Sequence, residues 1–146
     1  MIIISPYAKP LQNGKRNPKN YPYWKELLEL IDEDVVQVGV EGEEQLTDDF
    51  RKNLSIIQLR VLIAECRTWI SCDSFLQHLG WDCCKKGIVL WSVSDPVIYG
   101  HPLNINLLKS RNNLADNQFL WWDSVEYDAE KFVKPDEVLY HLKTIT

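Results

Sequence analysis

Strands alternating with helices predict an α/β fold, a single doubly wound domain spanning residues 1–146 whose parallel sheet is covered on both faces. Three observations carry that reading. Short apolar runs such as "MIIIS", "DVVQVGV", "RTWIS" and "KGIVLWS" recur along the chain. Segments with apolar residues at helical spacing stand between them. No internal repeat, low-complexity tract or linker interrupts the series, and a chain of 146 residues buries an ordinary core without staples or metal.

"MIIIS" reads as a buried strand closed by Ser5 and Pro6. A long loop follows, and "AKPLQNGKRNPKNYPYW" holds Lys9, Lys15, Arg16 and Lys19 with no acidic residue. "YPYWKELLELI" places Pro22 near a helix start, with Trp24, Leu27, Leu28 and Ile31 on one face. "DVVQVGV" is the second strand, ended by Gly39 and Gly42. The acidic "EEQLTDDF" is expected to form a helical turn, and "NLS" either a very short strand or the capped entry to the next helix. In "SIIQLRVLIAEC", Ile56, Leu59, Ile63 and Cys66 share a face, and Ser55 suits the N-cap. "RTWIS" then reads as a strand, "SFLQHLGWDCC" as a helix, "KGIVLWS" as a strand and "NINLL" as the last short strand. "EYDAEKFVKPDEVLYHL" reads as turns followed by a helix opened by Pro135.

The net charge of −5 argues against nucleic acid as a partner, because phosphate backbones are bound by clustered Lys and Arg. A basic loop on an acidic chain better suits a small phosphorylated ligand. No window approaches the roughly 20 apolar residues that a membrane span needs. "MIII" is too short for the apolar region of a secretory signal, and the expected location is the cytoplasm. Cys66, Cys72, Cys83 and Cys84 form no C-x-x-C pair, so reduced thiols are expected and a metal site is not.

Sheets of this class bind ligands outside the carboxyl ends of their strands, where the strand order reverses. With the order 3-2-1-4-5-6, the loop running from Ser5 through Lys19 meets "CDSF" in that crevice. The helix starting near Ser74 turns free N–H groups and a positive dipole end toward it, and Lys9, Lys15 and Lys19 approach from the facing loop, a diphosphate pocket. Glu41 and Glu43 follow the second strand, where a carboxylate accepts hydrogen bonds from ribose hydroxyls in nucleotide-binding α/β domains. Ordinary roles stay open beside these. Asp73 and Ser74 fit a helix cap, the commoner use of such residues, and His78 fits a satisfied, partly buried imidazole. Lys19 fits a solvated loop cation, Glu43 and Glu44 the start of an acidic helix, and "GVEG" an ordinary turn.

Four segments in order, "NPKNYPYW", "VGVEGEE", "WISCDSFLQHL" and "IVLWSVSDPVIYG", with "VKPDEVLYHL" closing the chain, resemble the C-terminal, nucleotide-sugar-binding half of GT-B glycosyltransferases of family 9, the heptosyltransferase-like group. The resemblance covers nearly the whole chain and is most specific in the third segment. It implies a Rossmann-like domain corresponding to one half of a GT-B fold, binding a nucleoside diphosphate or nucleotide-sugar without cofactor or essential metal. It further implies that Lys19 contacts the diphosphate and Glu43 the ribose. Asp73 and Ser74 would shape the phosphate-binding helix start with His78 behind them, and Asp95 and Gly100 would lie in the loop beside the donor.

The sequence departs from the family in two respects. Phe75 stands where the family usually has glycine, and its side chain is expected to crowd a phosphate or close the pocket. The half that binds the acceptor and supplies the catalytic base has no counterpart in these 146 residues, so no catalytic residue is assigned. A non-catalytic sensor or sequestering protein, or an interaction module on the same scaffold, is the alternative. Tryptophans usually belong to cores, but "FLWWDSVEY" lies beyond the repeating pattern and suits an interface with a second copy or a companion chain.

Overall fold

Six parallel strands in the order β3-β2-β1-β4-β5-β6 form the sheet of the computed structural model, which describes residues 1–146. The strands are β1 (Ile2–Ser5), β2 (Val35–Gly39), β3 (Asp49–Lys52), β4 (Thr68–Cys72), β5 (Ile88–Leu90) and β6 (Ile105–Leu107). The helices are α1 (Trp24–Leu30), α2 (Ile56–Glu65), α3 (Phe75–Asp82), α4 (Pro96–Tyr99) and α5 (Pro135–Leu142). Ile3 of the central β1 lies opposite Val36 of β2 and Trp69 of β4, so strand order reverses at β1, as expected.

Successive strand residues face opposite sides of a sheet, and here that alternation divides the core in two. Ile2, Ile4, Ile70, Ile88 and Leu90 pack beneath α1 and α5 with Trp24, Leu27, Val138 and Leu142. Ile3, Val36, Val38, Trp69 and Val89 pack beneath α2 and α3 with Leu59, Leu62, Ile63, Leu76 and Leu79. Both faces of the central strands are therefore buried, which is why those strands are almost continuously apolar.

The acidic segment corrects the sequence reading. "EEQLTDDF" forms no helix: residues 43–48 are turn and coil, and Asp49 opens the edge strand β3. Tertiary pairing overrides local propensity here. Phe50 pairs with Gln37 of β2, and the buried Gln37 side chain holds the preceding segment by donating to the Glu44 carbonyl and accepting from the Leu46 N–H. Ser55 caps α2 as expected, with a reciprocal capping box to Gln58. Ile56, expected on the buried face of α2, is instead 56% exposed, and Leu62 takes its place in the core. Trp24, Trp69 and Trp91 are core residues, whereas Trp81 and Trp121 are exposed. No helix is long and apolar enough to cross a membrane.

Candidate functional site

The loop after β1 is long but tightly bonded. Asn17, buried, accepts from the Lys19 N–H through its side-chain oxygen and donates from Nδ2 to the Lys9 carbonyl. Asn20 accepts from the Ala8 N–H, Ser92 Oγ donates to the Pro18 carbonyl and the Tyr127 hydroxyl donates to the Asn20 carbonyl. These bonds present Lys19 to the end of β4, where its Nζ lies 3.4 Å from Asp73 Oδ2. Both side chains are largely shielded, 16% and 8% exposed, so their attraction is less screened than that of a surface pair. The other Asp73 oxygen accepts from Gln77 Nε2 at 2.7 Å.

Neither Asp73 nor Ser74 caps α3. No side chain bonds to its first-turn N–H groups, and the buried Ser74 Oγ has no hydrogen-bond partner. The α3 start therefore keeps unsatisfied donors and the positive end of its dipole at the sheet edge. Phe75, the first residue of α3, is 56% exposed and lines the cleft beside that helix start.

On the β2 side, Glu43 folds back so that Oε1 accepts from the Val40 N–H at 2.6 Å. Its carboxylate fills the space above Gly39, where an added Cβ would stand 2.0 Å from that oxygen. Burial raises the Glu43 pKa, and the Val40 hydrogen bond opposes the rise. Val38, Val40, Leu54, Ile56 and Leu59 give this end an apolar wall. Tyr7 lies between, donating to Glu44 Oε2, and burial together with that carboxylate pushes its phenol up to about 12.

The result is a cleft of about 610 Å³ at the carboxyl ends of β1, β2 and β4. Ser5, Lys9, Lys19, Glu43, Asp73, Ser74 and Phe75 all line it. His78, Asp95 and Gly100 do not, and Lys15 is also outside. His78 is exposed on another side of α3, its Nδ1 2.8 Å from Nε2 of His101, whose ring stacks on Trp81. Asp95 caps α4 by accepting from the Val97 N–H and pairs with both terminal nitrogens of Arg111, whose hydrogen bonds hold its carboxyl below the usual range. At Gly100 an added Cβ would lie 2.6 Å from the Pro96 carbonyl oxygen, so this glycine permits close packing at the end of α4.

Trp121, Trp122 and Asp123 were not expected in the cleft, yet all three line it. The Trp122 ring lies 5.3 Å from Lys19 Nζ. Asp123 accepts from the Asn13 N–H through Oδ2 and from Asn13 Nδ2 through its carbonyl, tying this segment to the β1 loop. The signal in the sequence was the aromatic run itself, read as an interface.

No protein-family model matches the sequence, and comparison with curated proteins finds none similar to it. Solved structures do match. The Escherichia coli ADP-heptose LPS heptosyltransferase II superposes with a TM-score of 0.66 at 19% identity, over 99% of this chain and 45% of the enzyme. The dodecameric iron-containing heptosyltransferase TibC, in complex with ADP-D-β-D-heptose, superposes with a TM-score of 0.64 at 15% identity, over 98% of this chain and 45% of that one. The chain thus spans less than half the length of either neighbour. In this chain no three His, Cys, Asp or Glu side chains converge to hold a metal ion. At these identities the likeness is one of fold, and the chain is a single Rossmann-like α/β domain built like one half of a GT-B heptosyltransferase.

Proposed function

We propose that the cleft binds a nucleoside diphosphate or a nucleotide-sugar. The observation that carries this reading is the meeting of shielded Lys19 with the uncapped start of α3 at the point where strand order reverses. A diphosphate there takes charge-assisted hydrogen bonds from Lys19 and from the first N–H groups of α3. Lys9 and Glu43 also line the cleft, and in this reading Lys9 extends the positive rim while Glu43 accepts from ribose hydroxyls. One structural neighbour is an ADP-heptose LPS heptosyltransferase and the other a heptosyltransferase in complex with ADP-D-β-D-heptose, which favours a nucleotide-sugar as the ligand class. The proposed role is binding, with sugar transfer not completed by these residues alone.

The test is calorimetric titration of the folded chain with nucleoside diphosphates and their sugars. Lys19→Ala is expected to weaken binding by about 1.5–3 kcal/mol, the usual worth of a hydrogen bond to a charged group. Because the substitution also leaves Asp73 without its cation, folding is followed in parallel by circular dichroism, with Lys19→Arg as the charge-conserving comparison. Equal affinity of wild type and a folded Lys19→Ala protein would remove Lys19 from the site, and absence of binding across the panel would overturn the reading.

A further inference from the structure

We propose that Trp121 and Trp122 form a sugar-recognising end of this cleft, so that the chain distinguishes a glycosylated nucleoside diphosphate from the bare one. The inference rests on the nucleotide-binding reading and adds a direction to it. β2 and β4 flank β1 on opposite sides, so Glu43 and the Lys19–Asp73 pair mark successive positions along the sheet edge. Trp122 adjoins the Lys19 position on that edge, its ring 5.3 Å from Lys19 Nζ, and Trp121 precedes it in the same cleft wall. The Trp122 ring is also edge-on to Tyr99 of α4, the helix that follows β5, at 6.4 Å between centroids. A ligand with its nucleoside on the apolar β2 wall and its diphosphate at Lys19 therefore directs its remaining substituent toward the two indoles.

The chemistry of that end suits a sugar. A pyranose has an apolar C–H face and a rim of hydroxyls, and it is matched by flat aromatic surface with a few fixed polar groups beside it. Trp121 lines the cleft while remaining 73% exposed, so its indole is free to be covered by a ligand. Asp123 supplies a carboxylate on the same wall, and its two bonds to Asn13 fix the position of the segment. A bare diphosphate leaves this wall uncovered.

The experiment compares matched ligand pairs, namely UDP with UDP-glucose, ADP with ADP-glucose and GDP with GDP-mannose, by calorimetry and tryptophan fluorescence. Wild type is expected to bind at least one glycosylated member about tenfold more tightly than its bare partner. In Trp121→Ala that preference should fall toward one, while affinity for the bare diphosphate stays within about twofold. Trp121 is exposed, so this variant should fold, and Trp122→Phe tests the second ring without emptying its contact with Tyr99. Lys19→Ala should instead weaken both members of a pair together. Equal wild-type affinity within every pair, or a preference that survives Trp121→Ala and Trp122→Phe, would overturn the sugar-end assignment and leave nucleotide binding standing. No binding of any ligand would remove both.

Discussion

Two serines at helix starts show how one residue type serves different ends. Ser55 accepts from the Gln58 N–H, while Gln58 accepts through its side chain from the Ser55 N–H, closing both ends of a capping box. Ser74 occupies the corresponding place before α3 but makes no such bond, and its hydroxyl is buried without a partner. Loss of a working cap costs about 0.5–2 kcal/mol. Loss of an unpartnered buried hydroxyl relieves a desolvation cost instead. Chemical denaturation should therefore show Ser55→Ala destabilised by that amount and Ser74→Ala within about 0.5 kcal/mol of wild type. Nucleoside diphosphate affinity should move only in Ser74→Ala, because Ser74 lines the cleft and Ser55 does not. Equal destabilisation of the two variants would show that Ser74 is an ordinary cap. The commoner role of Asp and Ser at such positions is thus not the one taken here, because Asp73 turns to Lys19 and Gln77 rather than to the helix N–H groups.

Where β4 and α3 approach, the Trp69 indole is clamped between two glycines. An added Cβ would meet it at 2.4 Å from Gly80 and 2.2 Å from Gly87, while its Nε1 donates to the Lys85 carbonyl. Trp69 is fully buried, so neither ring nor backbone can yield without disturbing the sheet. Overpacking of this kind costs about 1–3 kcal/mol, and Gly80→Ala should lower the denaturation midpoint accordingly. An unchanged midpoint would mean that the indole has room to shift. The same element-level physics explains what was legible beforehand. β1, β2, β4 and β5 were visible because two-sided burial demands apolar runs, and their order followed from the general rule for doubly wound sheets. β3 was not, since "DFRK" on the sheet edge buries no residue fully and exists by pairing with β2. Loops carry no periodicity, so nothing in "FLWW" showed that it folds back over the β1 loop. Nor did spacing show that His78 would face His101 rather than the cleft. The resemblance implies a place beside the donor for Asp95 and Gly100, and the contacts the structure gives them are those that shape α4.

At the scale of the whole molecule, the proposed role of the cleft is to hold an anion, and sugar transfer would ask more of it. Sugar transfer needs a base within hydrogen-bond reach of the acceptor hydroxyl as well as stabilisation of the departing diphosphate. The carboxylates lining the cleft are already engaged: Asp73 with Lys19 and Gln77, Glu43 with the Val40 N–H, and Asp123 with Asn13. Glu43 is the one whose burial raises its proton affinity, yet it folds back on the end of β2 with Oε1 held by the Val40 N–H. General-base assistance is worth roughly 10²–10⁴-fold, and positioning of two reactants adds several kcal/mol more. On the binding reading proposed above, the 146-residue chain should bind a sugar nucleotide and release no nucleotide catalytically. The measurement is incubation of purified protein with a sugar-nucleotide panel and hydroxylic acceptors, following free nucleotide and glycosylated product together. Multiple turnovers that vanish in Lys19→Ala would show that this domain completes an active site, alone or as an assembly of copies. Glu43→Gln would then ask whether the buried carboxylate serves as the base: if it does, turnover is lost while sugar-nucleotide affinity falls only by the share owed to the ribose contact.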